Sequence, residues 1–436
     1  MKWQNNKKGL KHKFPVTFYK VVHSPVAPLR FTGDEEFFAL LKKNAREKKG
    51  RTKNPLQPRC MMNQKYLSTI SELDNLVGLT SRERSAMETV SATFPFRSTE
   101  YYLSLIDWKD DHDPLRRIII PHASELNGMG CLDPSCEKDF FRKPGLQSTC
   151  SQTGHLLLTD VCGGICRFCF RKRLFRGDNE REAVKDVSEG IEYIREHTEI
   201  TDVLLTGGDP LTLETGRLEL ILRQLREIDH VTVIRIGSKM LAYNPYRILH
   251  DPDLLSLLSR YSTAEKRIYL MAHFNHPREL TAVSVQAAEE LRKAGVIIVS
   301  QTPVLNGINS EPEIFAELFS RLSFAGIPSY YIFQCRPSIG NRLFQIPVEQ
   351  SYEIIQKSWQ ACSGLFKTGR FVMSHASGSI EIIGKTAGQV FMRYHQSADP
   401  GNTGKFMVFR SNPVAQWFDD YRHILTEFES KKAWLF

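Results

Sequence analysis

The sequence predicts an α/β fold in which a partial (β/α)6 barrel lies between a mainly helical N-terminal region and a small β/α C-terminal segment. Two observations lead to this prediction. Six strand-like apolar runs recur through the middle of the chain, and amphipathic helical stretches separate most of them. Strands that alternate with helices form right-handed βαβ units on a parallel sheet. Six units are too few to close an eight-stranded barrel, so we expect an open one that binds ligands at the carboxyl ends of its strands.

The N-terminal region, residues 1–150, is expected to be mostly helical, because Thr69-x-x-Glu72 and Thr80-x-x-Glu83 are typical capping boxes at helix starts. The barrel is expected over residues 151–365. Its predicted strands are His155–Asp160, Asp202–Leu205, Val231–Ile236, Ile268–His273, Val296–Gln301 and Tyr330–Gln334. Its predicted helices are Glu182–Glu196, Arg217–Ile228, Ala282–Lys293 and Glu313–Ala325.

Residues 366–436 form the predicted C-terminal segment of strands and a helix. Three short runs alternate like antiparallel strands, namely Ser379–Gly384, Val390–His395 and Met407–Arg410. Pro400–Gly404 is predicted to be the turn between the last two strands. The final stretch, Pro413–Leu435, is predicted to be helical.

The composition is typical of a soluble enzyme. The chain has 436 residues, of which 41% are hydrophobic and 25% are charged, enough for a large core. No apolar run reaches the length of a membrane span, and the polar N-terminus lacks a signal-peptide core. Basic residues in the N-terminal arm (2–13) and at 42–53 supply much of the net charge of +9. No RNA-binding signature accompanies them, so a solvated surface is preferred over nucleic-acid binding.

Three cysteines in one loop are the most specific feature of the sequence. Cys162, Cys166 and Cys169 follow the first predicted strand in a C-x3-C-x2-C pattern. A [4Fe-4S] cluster is normally held by four thiolates, so three leave one iron open. S-adenosylmethionine (SAM) can chelate that iron, and one electron from the cluster then releases a 5'-deoxyadenosyl radical. The motif therefore predicts a radical SAM enzyme, and its air-sensitive cluster favours a reducing, cytoplasmic compartment.

A structural zinc site is the main alternative for three close cysteines. Zinc ribbons usually have two distant C-x2-C pairs, whereas this triple lies directly between a strand-like run and a basic segment. Cys131, Cys136 and Cys150 precede the triple at irregular spacing. They could ligate a second metal, but free thiols are the preferred interpretation.

Further candidate ligand contacts follow the later strands. Gly207 and Gly208 end the second strand, where glycines let the backbone approach a ligand closely. Asp209, the next residue, can accept a hydrogen bond from an ammonium group such as the methionine amine. Polar groups at the ends of the next three strands are further candidates: Ser238, His273 and Gln301.

Together these motifs resemble the lysine 2,3-aminomutase group of radical SAM enzymes. The resemblance runs from about Phe94 through about Pro337 and rests on the cysteine loop, Gly-Gly-Asp, Arg-Ile-Gly-Ser, His-Phe-Asn-His-Pro and Gln-Cys, in that order. It implies a radical-SAM partial barrel, a [4Fe-4S] cluster on the three cysteines and a homo-oligomer. It also implies that Arg171 pairs with a substrate carboxylate. The implied SAM contacts are Gly207, Gly208, Asp209, Ser238, His273 and Gln301.

The sequence departs from the aminomutases where those enzymes bind pyridoxal phosphate (PLP). Ser379 stands where the family has the lysine that forms a Schiff base with PLP, and a serine cannot form one. Lys385, six residues later, is the alternative amine. Thr149 and Cys150 stand where an Arg-Tyr pair would bind the phosphate, so no cation is present there. These departures argue against PLP binding.

The substrate-binding positions differ as well. Lysine-specific members have two aspartates for the distal ammonium, and this chain has Arg336 and Ser374 at those positions. A buried arginine repels an ammonium group in a desolvated pocket, so free L-lysine is not expected to be the substrate. An anionic, glutamate-like small molecule is preferred. The alternative is that Arg336 forms a structural ion pair.

Three functional interpretations follow. The first is a PLP-free radical enzyme that abstracts hydrogen from an amino-acid-like or anionic molecule, giving isomerisation, dehydrogenation, elimination or epimerisation. The second is a PLP-dependent 2,3-aminomutase of an amino acid other than lysine. The third is a nucleic-acid- or protein-binding module with a structural cluster, which the basic N-terminal arm would support. Either enzyme needs a flavodoxin- or ferredoxin-type reductant, and the sequence identifies no catalytic side chain beyond these contacts.

Overall fold

The computed structural model describes residues 65–128, 130–175 and 182–428. The predicted basic arm, the basic stretch at 42–53 and Cys60 lie outside these ranges. Within the described ranges, every helix is too short or too polar to cross a membrane.

The described N-terminal region contains four α-helices and four short strands. The helices are α1 (Ile70–Val77), α2 (Ser81–Ser91), α3 (Glu100–Leu103) and α4 (Pro114–Ile119). The strands are β1 (Tyr66–Leu67), β2 (Ser98–Thr99), β3 (Phe141–Lys143) and β4 (Leu146–Gln147). Both predicted capping boxes are confirmed, because the hydroxyls of Thr69 and Thr80 accept from backbone amides and Glu72 and Glu83 bond back. The strands in this region were not predicted.

One sheet of thirteen strands begins with β3 and β4 of this region and continues through the rest of the described chain. Seven neighbouring strands are parallel: β5 (Thr153–Thr159), β6 (Asp202–Gly207), β7 (Val233–Ser238), β8 (Arg267–His273), β9 (Ile297–Val304), β10 (Ser329–Gln334) and β11 (Arg370–His375). The first six match the six predicted runs, and β11 adds a seventh beside β10. The outer members of this parallel run pair with other described strands rather than with each other, so the sheet stays open. This confirms the α/β fold class and is compatible with a partial barrel.

Eight helices lie between these strands: α5 (Ser188–Glu196), α6 (Thr215–Arg226), α7 (Met240–Tyr243), α8 (Tyr246–Leu249), α9 (Pro252–Tyr261), α10 (Ala282–Lys293), α11 (Pro312–Phe324) and α12 (Val348–Gln360). Their apolar faces pack on the sheet, as the buried Leu218 and Leu222 of α6 do. Helix α5 begins later than predicted, at Ser188, and Glu182 lies outside it with its carboxylate in a buried ion pair with Arg173.

Four antiparallel strands extend the sheet beyond β11: β12 (Gly378–Lys385), β13 (Gln389–Ser397), β14 (Phe406–Arg410) and β15 (Ile424–Phe428). The predicted turn at 400–404 is confirmed as a short 3₁₀ helix, Pro400–Asn402. The predicted helix over Pro413–Leu435 is wrong in its described part, which has one 3₁₀ turn and then β15. Unpaired backbone groups on the edge of β14 bind β15. Trp417 and Tyr421 are buried in the same core as β14, so tertiary packing overrides the local preference.

Candidate active site

The carboxyl ends of the parallel strands surround a cavity of about 370 Å³. This volume is typical of sites for small molecules. Every site residue predicted from the sequence lines the cavity: Cys162, Cys166, Cys169, Arg171, Gly207, Gly208, Asp209, Ser238, His273, Gln301, Arg336 and Ser374. The structure therefore brings together positions that are spread over more than two hundred residues of sequence.

The three thiols of the cysteine loop, residues 162–169, face this one cavity. Burial raises the pKa of all three, that of Cys166 to about 12. Among the described residues, no three His, Cys, Asp or Glu side chains converge closely enough to hold a single metal ion. A [4Fe-4S] cluster does not need that convergence, because its thiolates bind different irons. Three thiols beside an open cavity suit such a cluster better than they suit one zinc ion.

The N-terminal region holds the cysteine loop in place through its backbone. Nε of Arg97 donates to the carbonyl of Cys162 at 2.8 Å, and the carbonyl of Arg97 accepts from the amide of Ile165 at 3.0 Å. The amide of Arg167 donates to the carbonyl of Ile118 at 2.8 Å. The loop conformation therefore depends on residues far upstream of the motif.

A buried ion pair also anchors this loop, through the side chain of Arg167. The Arg167 guanidinium is 1% exposed and donates through Nε and Nη2 to both oxygens of Glu125, each at 2.9 Å. Lys172 Nζ lies 3.4 Å from the same carboxylate. Glu125 belongs to no recognisable motif, although buried basic residues require acidic partners.

Gly207 and Gly208 pack directly against residues 159–161, which lead into the cysteine loop. A Cβ atom on Gly207 would lie 2.5 Å from the carbonyl oxygen of Thr159, and one on Gly208 would lie 2.8 Å from the amide nitrogen of Val161. The amides of Gly208 and Asp209 donate to the carbonyls of Thr159 and Val161. These two amides are therefore not available to a ligand. The glycines allow the turn and the loop to lie in contact.

Replacing Gly208 by alanine should push the cysteine loop away and reduce cluster loading. We expect a loss of about 1–3 kcal/mol in the free energy of unfolding, the usual cost of overpacking, together with less iron per chain. Gly216→Ala is the matched control, because nothing lies within 4 Å of a Cβ atom at that position. Urea unfolding and iron analysis measure both effects. A Gly208→Ala variant with the stability and iron content of the wild type would contradict this account.

Asp209 links the ends of two strands beneath the cavity. Its carboxylate accepts from the Ser238 hydroxyl at 2.9 Å, from the Lys239 amide at 2.8 Å and from the Leu211 amide at 3.0 Å. Burial raises its pKa to about 6, although these hydrogen bonds favour the ionised form. A carboxylate has about four acceptor positions, so Asp209 retains capacity for one further donor such as an ammonium group.

His273 and Gln301 are neighbours on adjacent parallel strands. Burial, with a smaller contribution from the nearby Lys239, lowers the pKa of His273 well below its usual value, so the imidazole is neutral. The second histidine of the motif, His276, accepts from the amide of Arg278 at 3.2 Å and caps a short helix. It does not line the cavity.

Arg171 and Arg336 meet at an acidic residue that the sequence did not reveal. Glu137 accepts from Nε and Nη2 of Arg171 at 3.1 and 3.0 Å. The Arg336 guanidinium stacks 3.6 Å from the ring centroid of Phe170, and its Nη1 lies 3.9 Å from Glu137. That Nη1 atom is buried and has no hydrogen-bond partner among the described residues. These contacts place both predicted substrate arginines on one side of the cavity.

The positions at which the family binds PLP also reach the cavity. Ser379, Thr149 and Cys150 line it. Lys385 does not, since it lies at the end of β12 with its amine 2.6 Å from Glu353 and 3.2 Å from Glu349. Among the described residues, the cavity is lined by a single lysine, Lys239.

Lys239 is fixed by its neighbours. Its amine lies 2.7 Å from Glu279 and donates to the side chain of Asn275 at 2.7 Å. An amine that is held by a buried carboxylate and an amide oxygen is not free to attack an aldehyde.

The three cysteines considered above as possible ligands of a second metal are separate from the cysteine loop. Cys131 and Cys136 are exposed. The thiol of Cys150 contacts the carbonyl of Ser397 at 3.7 Å. None of the three belongs to a described group of residues that could hold one metal ion.

Comparison with known proteins agrees with the predicted resemblance. The profile of the Radical SAM superfamily matches residues 156–319. A protein of Aquifex aeolicus named "Putative L-lysine 2,3-aminomutase" is 50% identical over 367 residues, which are 84% of this chain and 98% of that protein. The L-lysine 2,3-aminomutase of Clostridium subterminale is 36% identical over 66% of this chain and 69% of its own length. The glutamate 2,3-aminomutase of Clostridioides difficile is 35% identical over 66% and 68%.

Proposed function

Since this chain belongs to the lysine 2,3-aminomutase family of radical SAM enzymes, we propose that it abstracts hydrogen from an anionic, amino-acid-like small molecule without using PLP. Family membership makes the chain an enzyme with a small-molecule substrate and a reductant. The interpretation as a binding module with a structural cluster is therefore dropped. The reductant that we propose is a flavodoxin or ferredoxin, and we propose a homo-oligomer from the resemblance alone.

The buried Nη1 atom of Arg336 carries the proposal of an anionic substrate. That atom lies at ion-pair distance from Glu137 but has no hydrogen-bond acceptor among the described residues. A buried guanidinium N–H without an acceptor costs free energy unless a ligand supplies one. Burial lowers the pKa of Arg336 to about 10, so the group is charged at neutral pH. A carboxylate or phosphate would complete its hydrogen bonds, whereas the distal ammonium of lysine would be repelled.

The lysines support the proposal that PLP is absent. A Schiff base needs a lysine that reaches the cavity and is not held elsewhere. Lys385 points its amine at two carboxylates outside the cavity, and Lys239 is paired with Glu279. The phosphate positions, Thr149 and Cys150, offer no charge.

Different residues of the cavity would bind the cluster, SAM and the substrate. When bound, the cluster and SAM supply the 5'-deoxyadenosyl radical. The three cysteines would hold the cluster, and Asp209 would accept from the methionine ammonium. Ser238, His273 and Gln301 would contact the rest of SAM. Arg171, oriented side-on by Glu137, and Arg336 would bind acidic groups of the substrate, with Ser374 nearby.

A PLP-dependent aminomutase of another amino acid is the second candidate. It is favoured by the 35% identity to a protein named glutamate 2,3-aminomutase, whose name specifies an anionic amino acid. Both candidates therefore share an anionic substrate and differ in the cofactor.

Borohydride trapping distinguishes the two. The protein is reconstituted anaerobically with iron, sulfide and PLP and reduced with borohydride, and pyridoxyl-lysine is mapped by peptide mass spectrometry. We expect no stoichiometric adduct, while SAM is still cleaved to 5'-deoxyadenosine. A stoichiometric adduct on Lys239, Lys385 or another lysine would establish the aminomutase interpretation instead.

The anionic substrate is tested by replacing Arg336. We expect L-glutamate or another acidic amino acid to stimulate 5'-deoxyadenosine formation above the substrate-free rate, and L-lysine not to. Arg336→Met should lower this stimulation about 100-fold, because a charge-assisted hydrogen bond of about 3 kcal/mol is lost. Arg370→Met is the matched control, since Arg370 is half-exposed, pairs with Glu381 and lies outside the cavity. Turnover of free L-lysine would refute the proposal.

A further inference from the structure

We propose that Tyr243 is a positioning residue that acts through Cys166: it donates a hydrogen bond to the ligating sulfur and raises the reduction potential of the cluster. The proposal rests on the cluster that the family implies and on no particular substrate. Tyr243 ends helix α7, directly after β7, and was not selected from the sequence.

The hydroxyl oxygen of Tyr243 lies 2.9 Å from Sγ of Cys166. The side chain is 1% exposed, and Cys166 is the one hydrogen-bond partner of this hydroxyl among the described residues. A cluster-bound thiolate has no proton, so the phenol must be the donor when iron is present.

The cysteine loop is shaped to lie against this ring. A Cβ atom on Gly164 would lie 3.1 Å from Cζ of Tyr243 and 2.9 Å from Cδ1 of Ile119. One on Gly163 would lie 2.6 Å from Sδ of Met240, in the same helix. The two glycines between the first and second cysteines therefore permit the close approach that makes the hydrogen bond.

The ring itself has little freedom to move. The ring packs edge-on against Tyr102, with centroids 4.7 Å apart. The backbone carbonyl of Tyr243 accepts a hydrogen bond from the Thr99 hydroxyl. Nζ of Lys239 lies 5.2 Å from the ring centroid. This cation–π contact further restrains the ring.

A hydrogen bond to a ligating sulfur stabilises the more negative, reduced cluster relative to the oxidised one. Hydrogen bonds to the sulfurs are among the factors that set the potential of iron–sulfur clusters. Without the Tyr243 hydroxyl, we expect the ratio of reduced to oxidised cluster at a fixed potential to fall about tenfold. For a one-electron couple this corresponds to a midpoint about 59 mV more negative.

The test is a redox titration of the reconstituted Tyr243→Phe protein, monitored by EPR in the absence of SAM, with iron content measured in parallel. Tyr102→Phe is the matched control. The ring of Tyr102 packs against that of Tyr243, but its hydroxyl donates to Glu279 and not to a cysteine. We expect full iron in both variants and a more negative midpoint in Tyr243→Phe alone. A wild-type midpoint in an iron-loaded Tyr243→Phe protein would overturn the proposal.

If the Tyr243→Phe protein does not load iron, a second variant tests the proposal. Replacing Tyr243 by 3-fluorotyrosine keeps the ring and the hydroxyl but makes the donor more acidic, so we expect a more positive midpoint. An unchanged midpoint there would also overturn the proposal. The titration uses neither substrate nor PLP, so such a result would leave the proposed substrate chemistry standing.

Discussion

Alanine at Cys162, Cys166 or Cys169 is expected to reduce SAM cleavage to the level of a sample without enzyme. Each thiolate would bind one iron of the cluster that the family implies, and no fourth cysteine follows at matching spacing to replace a lost ligand. Iron content should fall in step with activity. Anaerobic reconstitution, iron and sulfide analysis, and chromatography of 5'-deoxyadenosine measure these effects.

Cys131→Ala and Cys136→Ala are the controls for this prediction. Both thiols are exposed and lie outside the cavity, so each variant should keep wild-type iron content and SAM cleavage. Loss of iron in either control would instead favour a second metal site in the N-terminal region. Full SAM cleavage by any of the three loop variants would contradict the assignment of that cysteine.

Removing the carboxylate of Glu125 should be among the most destabilising single substitutions in the chain. Glu125 is fully buried, and Glu125→Ala leaves the buried cations of Arg167 and Lys172 without their partner. Breaking a buried pair in this way costs about 3–5 kcal/mol. Urea unfolding of the iron-free protein should show this loss, and iron loading should fall because Arg167 anchors the cysteine loop.

Glu88→Ala is the matched control for Glu125→Ala. Glu88 forms an exposed pair with Arg84 one helical turn away, a contact worth less than about 1 kcal/mol. If Glu125→Ala lowered the free energy of unfolding by no more than Glu88→Ala does, the buried pair would not anchor the loop.

The local sequence predicted an element correctly where that element's apolar residues recur with the period of a helix or a strand. The strand–helix alternation located six parallel strands, and the helix Ala282–Lys293 has the predicted bounds. Over 413–428 the local pattern was misleading. There the decisive interaction is the pairing of β15 with β14, which no local property of the segment records.

The candidate site divides in the same way. The order of the motifs identified twelve residues that line one cavity, because each motif follows a strand and parallel strands end at the same edge. The partners of those residues were not identified. Glu125, Glu137 and Tyr243 lie in short or irregular segments without a motif, and their contacts form only when distant segments meet.

The sequence by itself determined the α/β class, the cysteine loop and the family to which the chain belongs. These properties depend on residue type and spacing along the chain, which a sequence records in full. Only the tertiary structure decided that the amides after Gly207 bind the carbonyls just before the cysteine loop, and that Lys385 lies outside the cavity. It also decided that Nη1 of Arg336 is buried without a hydrogen-bond partner. Such facts depend on which atoms become neighbours after folding, and burial then determines how much each charge or hydrogen bond contributes.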